Sequence, residues 1–156
     1  MSLVISEDAI KTMAGHFKIL SGKTVLLVSS EFDFNKVNDS ITWAFPENLK
    51  TVKDAKCVLA SFILPDSTIS NTSIQFNGPI QVAGKRNGIV CGFIIFDGDF
   101  DQRIISSDAV ISEKLLVASN SVGCVGESAI MILDSLELIK NGENVFYSAN
   151  FTMAGV

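Results

Sequence analysis

The sequence predicts a mainly β protein, a two-sheet sandwich of jelly-roll type with one short N-terminal helix. Three observations point there. Residues 88–96, GIVCGFIIF, form an apolar run rich in β-branched and aromatic residues, which suits a buried, pleated strand. Shorter apolar runs recur along the chain at the spacing of sandwich and barrel strands. Between them lie turn signals at Asn77-Gly78-Pro79, at Lys85-Arg86-Asn87-Gly88 and at Lys140-Asn141-Gly142-Glu143.

The helix comes first. Ser6 can cap it by accepting an orphan backbone N–H, and Glu7 and Asp8 suit its positive end. Ile10, Met13, Ala14 and Phe17 then fall on one face, with Gly15 or Gly22 as the stop. Residues 25–28 read as a buried strand, 31–40 as a polar loop, and 41–45 as a short strand stopped by Pro46. Residues 47–56 are charged and read as a loop or a single turn, and 57–64 as a strand stopped by Pro65. Ile74, Phe76, Ile80 and Val82 share a parity interrupted by the Asn77-Gly78-Pro79 turn. A hairpin-type connection at 85–88 leads into the central run. After it, 103–105, 114–118 and 129–133 are short apolar runs between Ser- and Gly-rich segments. The strongest hairpin signal, at 140–143, joins 136–139 to a return strand at 145–151, whose alternation puts Val145, Tyr147, Ala149 and Phe151 on one face.

No repeat, linker or low-complexity tract divides the chain, so residues 1–156 are read as one β-rich domain. Charged residues are only 19% of it, below the usual ~25%, and mean hydropathy is +0.38. Such a chain either has a large core or hides surface in an assembly. A net charge of −5 lacks the basic footprint that nucleic acid requires, so no nucleic-acid partner is expected. No apolar run approaches the ~18–20 residues of a membrane span. Residues 1–5 are too short for a signal-peptide core and are followed by acids, so synthesis in the cytoplasm without a signal peptide is expected. Cys57, Cys91 and Cys124 are odd in number, widely spaced and in apolar contexts, which predicts buried free thiols. Three glycosylation sequons, at Asn38, Asn71 and Asn150, are read as chance without a secretion signal.

Several short motifs resemble catalytic ones and fail on chemistry. Gly22-Lys23-Thr24 ends like a phosphate-binding loop, but position 17 is Phe17 and a strand follows where a helix is needed. Gly126-Glu127-Ser128-Ala129 begins like a nucleophile elbow, but Ile130 stands where a glycine belongs, and the sole histidine, His16, is on the expected helix. Neither a catalytic set nor a cofactor is expected. Asp97, Asp99 and Asp101 alternate like calcium ligands and are the candidate metal residues. Gln102 replaces the glycine such a loop bends at, and Asp108 the final glutamate, so a solvated acidic turn is the simpler account. Trp43, next to Pro46, is the candidate aromatic for an exposed ligand contact; most of the eleven phenylalanines read as core.

The opening MSLVISEDAI and the closing IKNGENV, with Phe151-Thr152-Met153 after it, resemble the first strand and helix and the last hairpin and strand of small virion structural proteins of tailed bacteriophages. Residues 89–96 match as a glycine-punctuated central strand. The resemblance implies a β-sandwich building block of a particle: a capsid decoration, collar or tail component, located in the virion and without catalysis. Assembly is also expected from the residues themselves. Strands over 115–133 carry little charge beyond Lys114 and Glu127, so their edges are weakly guarded. The expected partners are further copies of the chain, in a closed homo-oligomer such as a trimer, and other virion proteins. The contact is placed on the Ser/Gly-rich stretch that begins Ala118, Ser119, Asn120, Ser121. The alternative expectation is a monomeric carbohydrate- or ligand-binding module.

Overall fold

The computed structural model describes residues 19–37, 41–70, 73–98 and 114–152. The expected N-terminal helix and His16 lie outside the described residues, as do Asp99, Asp101 and the apolar run at 103–105. The described chain is mainly β. Its strands are β1 (Thr24–Val28), β2 (Val58–Ile63), β3 (Ser67–Ile69), β4 (Ser73–Ala83), β5 (Gly88–Ile89), β6 (Gly92–Asp97), β7 (Lys114–Ser119), β8 (Val122–Cys124), β9 (Met131–Leu133), β10 (Glu137–Leu138) and β11 (Glu143–Thr152).

They form two open sheets and a small pair. The four-stranded sheet has the order β2-β1-β6-β7 and is antiparallel throughout. The five-stranded sheet has the order β3-β4-β11-β9-β8, antiparallel except for the β8–β9 pair. β5 and β10 form a separate two-stranded ladder.

β1 and β6 explain the near-continuous apolar runs in the sequence, because both of their faces are buried. Val25, Leu27, Phe93 and Ile95 point to one side, where they join Ile74, Phe76, Val82, Met131, Leu133, Phe146 and Phe151 of the five-stranded sheet in one core cluster. Leu26, Val28, Ile94 and Phe96 point to the other side, into a second cluster. Burying each such side chain stabilises the fold by about 1.5–3 kcal/mol before entropy is counted.

The second cluster is roofed by residues 29–37 and 41–57. These form 3-10 turns at Phe34–Lys36, Ile41–Ala44 and Val52–Asp54. Asp33 caps the first, its Oδ1 accepting from Asn35 N–H at 3.0 Å. Phe32 meets Phe34 and Phe45 edge-on, at 4.9 and 5.5 Å between ring centroids. The expected strand at 41–45 is therefore a turn: Ala44 spends its carbonyl on the Asp33 N–H, 3.0 Å away, instead of on a neighbouring strand.

The central run is not one strand. Val90 N–H donates to Leu136 O at 2.7 Å, while the next amide, Cys91 N–H, donates to Val28 O at 2.8 Å. The chain thus leaves β5 and enters the four-stranded sheet between these two residues. For the same reason, residues 85–88 are a crossing between ladders and do not close a hairpin. The turn at 140–143 exists, with Asn141 at φ 66°, but it joins β10 to β11, which pair with β5 and with β4 and β9 respectively. Its polar groups bind the 84–87 segment: Asn141 N–H donates to Gly84 O at 2.9 Å, and Gly84 N–H donates to Gly142 O at 2.8 Å.

β4 runs straight through the expected turn at Asn77-Gly78-Pro79, where the Gly78-Pro79 peptide is cis. The register with β11 shifts there: between the Asn77–Ser148 and Ile80–Phe146 pairs, Gly78 and Pro79 stand against Tyr147 alone, while against β9 the extra residue is on β11. The bulge flips the parity of β11, so Val145 and Tyr147 face away from the core whereas Ala149 and Phe151 are buried in it. The four residues expected on one face are split between two.

Candidate interaction surfaces

The two outer strands of the four-stranded sheet are treated differently. β2 has its free side covered. Lys85 N–H donates to Leu59 O at 2.7 Å, Ala60 and Gly84 form an isolated bridge, and Arg86 donates through Nη1 to Val58 O and through Nη2 to Lys53 O, at 3.0 and 2.9 Å. β7 pairs with β6 on one side and, among the described residues, has no strand on the other. Leu115, Leu116, Val117 and Ala118 are all only half-buried, so the strand offers apolar side chains and a backbone edge together.

Beside β7 lies an open depression of about 460 Å³, lined by Phe34, Val37, Leu115, Ala118, Ser119 and Asn120. Phe34 reaches this place because Gly92 has no side chain. A Cβ at residue 92 would overlap the Phe34 ring and stand 2.6 Å from Ser119 O.

Of the residues expected to assemble, Ala118, Ser119 and Asn120 line the depression, and Asn120 is exposed. The serines have local work that sequence reasoning did not see. Ser119 Oγ accepts from Ser121 N–H, and Ser121 Oγ accepts from Ile130 N–H, both at 3.0 Å. These bonds hold the chain where it passes from β7 into β8, from one sheet to the other. Glu127 likewise closes a turn, its Oε1 accepting from Cys124 N–H at 3.0 Å, which leaves Ser128 in an exposed connection between strands.

Asp97, the described member of the acidic trio, is paired with Lys23: Nζ lies 3.0 Å from Oδ1. That gives the lysine of the loop-like Gly22-Lys23-Thr24 an ordinary electrostatic role. Among the described residues, no three His, Cys, Asp or Glu side chains cluster to hold a metal ion, and no helix is long and apolar enough to cross a membrane. Trp43 is 62% exposed, at the 3-10 turn on the roof of the second cluster. Of the cysteines expected to be buried, only Cys57 is; Cys91 and Cys124 are half-buried, and all three thiols are free. Burial pushes the Cys57 thiol up to about 12, with the charge of Glu47 adding to it, so it is a poor nucleophile.

No family model, no curated protein and no solved structure matches this chain.

Proposed function

We propose that the protein is a non-catalytic building block that works through protein–protein assembly, as a capsid decoration, collar or tail component of a bacteriophage virion does. In this reading the two sheets form a sandwich of jelly-roll type, which the core cluster shared between them supports. The observation that carries the assembly reading is β7: an outer strand with half-buried apolar side chains beside an open depression, in a molecule that covers its opposite outer strand with Lys85 and Arg86. An unguarded edge of this kind invites a strand or loop from another chain. The low charge content of the sequence and its resemblance to phage virion proteins point the same way.

The partner set is further copies of the chain in a closed ring, a trimer, together with neighbouring virion proteins. An obligate contact of this kind buries about 2,000 Å² or more and is more apolar than the free surface. Light scattering after size exclusion tests it. The expected result is a mass that is a multiple of 16.8 kDa. A Leu116→Lys variant, which places a charge on the half-buried part of β7, is expected to yield monomer. A wild-type monomer at micromolar concentration that also fails to bind purified capsids or tails overturns the reading.

A further inference from the structure

The five-stranded sheet has an outer face whose composition is unusual for a protein surface. The outward positions of β3, β4 and β11 include Thr68, Gln75, Asn77, Gln81, Tyr147 and Asn150, all exposed, with exposed Pro79 and half-buried Val145 among them. Along these three strands the only outward charged residue is Glu143, at one end. Typical soluble domains carry about 25% charged residues overall. The register sets the groups in rows. Thr68, Gln75 and Asn150 stand side by side on three adjacent strands, spanning about 10 Å at the ~4.8 Å strand spacing. Along β4, Gln75 to Gln81 extends on the order of 20 Å. Tyr147 rises beside them because the bulge turns it outward. Among the described residues, the carboxamides of Gln75, Asn77, Gln81 and Asn150 make no hydrogen bond to another side chain or to backbone.

We propose that this face binds a neutral polysaccharide. Each carboxamide offers an N–H₂ donor pair and a carbonyl acceptor, which together match the donor–acceptor character of adjacent sugar hydroxyls. Sugar ring C–H groups carry slight positive charge and fit the negative face of the Tyr147 ring. A face almost without charge discriminates against anionic polymers, which need Lys or Arg. The site is separate from Trp43, which stands over the far side of the four-stranded sheet, and it is independent of the β7 assembly edge.

The test is native electrophoresis of the full chain through gels containing a dissolved β-glucan, a galactomannan, starch or, as the anionic control, polygalacturonate. Retardation is expected in at least one neutral gel and not in the anionic one. Asn77→Ala and Tyr147→Ala, both at exposed positions, are expected to weaken that retardation at least tenfold while leaving the thermal melt unchanged; Trp43→Ala is expected to leave it intact. No retardation in any neutral gel overturns the proposal. So does retardation that survives both face variants, retardation in the anionic gel alone, or retardation abolished by Trp43→Ala only. None of these outcomes depends on the mass measured by light scattering, so this proposal and the assembly reading fail separately.

Discussion

Lys23 Nζ and Asp97 Oδ1 lie 3.0 Å apart, and they join the start of β1 to the end of β6, whose ladder pairs Thr24 with Phe96 one step away. The pair is partly exposed, so it is worth only about 0.2–1 kcal/mol. It nonetheless occupies the one described carboxylate of the acidic trio with a cation. The expected calcium affinity of the wild type is millimolar or weaker, the range of the loosest calcium modules. Thermal melts with micromolar calcium are expected to match those with chelator, and an increase of several degrees would refute this.

Phe93, Ile94, Ile95 and Phe96 are all fully buried, two toward each core cluster. Truncating any one to alanine is expected to cost about 2–5 kcal/mol, from lost burial plus the cavity left behind. Urea melts of the four variants check this. Wild-type midpoints for either pair would mean that one face of β6 is not core.

Gly92→Ala is expected to destabilise by about 1–3 kcal/mol, because the new methyl meets both the Phe34 ring and the Ser119 carbonyl. Phe34 can swing away, whereas the carbonyl is fixed in the β6–β7 ladder. The double variant Gly92→Ala, Phe34→Ala is therefore expected to recover only part of the loss, measured as a chemical-denaturation cycle.

The Cys57 thiol gives a pH signature. Its value when folded, about 12, lies above the ordinary 9.0, so the folded state keeps a proton that the unfolded chain releases. The corresponding stability is fully present below pH 9 and is lost as pH rises from 9 toward 12. The loss steepens to at most about 1.4 kcal/mol per pH unit. Wild type minus Cys57→Ala, compared by denaturant melts at pH 8 and pH 10.5, isolates this contribution from other groups that titrate there. The expected difference narrows at the higher pH. Iodoacetamide at pH 8 is expected to label Cys91 and Cys124 ahead of Cys57.

Local pattern and long-range pairing were not equally legible in the sequence. The strands at 24–28, 58–63, 92–97 and 114–119 show in the apolar runs, because two buried faces or one leave a direct imprint on composition. Strand partners do not. The Asn141-Gly142 turn has every local mark of a hairpin, yet its polar groups bond to Gly84 and its flanking strands pair elsewhere. The division of the central run between Val90 and Cys91 depends on which carbonyls wait opposite, Leu136 or Val28, and no window of sequence around residue 90 contains either. β3 (Ser-Thr-Ile) and β8 (Val-Gly-Cys) lack the apolar run that marks β9 (Met-Ile-Leu), a strand of the same length. The bulge at Tyr147 reversed half of β11, and with it the side on which Tyr147 is available. Among surface residues, Trp43, the candidate for an exposed contact, is exposed, and the bonds that Ser119 and Ser121 make where β7 passes into β8 depend on Ile130, nine residues from Ser121, which no local composition announces.

β11 is the latest of the described strands in the chain, yet it lies between β4 and β9 in its sheet. During synthesis, β4 must therefore wait for its partner. The 59 residues between Ala83 and Glu143 take about 3–12 s to emerge at about 5–20 residues per second. Throughout that interval β4 presents an open backbone edge beside apolar Ile74, Phe76 and Val82, while neighbouring ribosomes on the same message carry identical nascent chains. A β11 strand released from one ribosome can then fill the gap in its neighbour's sheet, yielding interlocked copies. The duration of this exposure is set by the speed of translation, and the stability of the finished fold has no bearing on it.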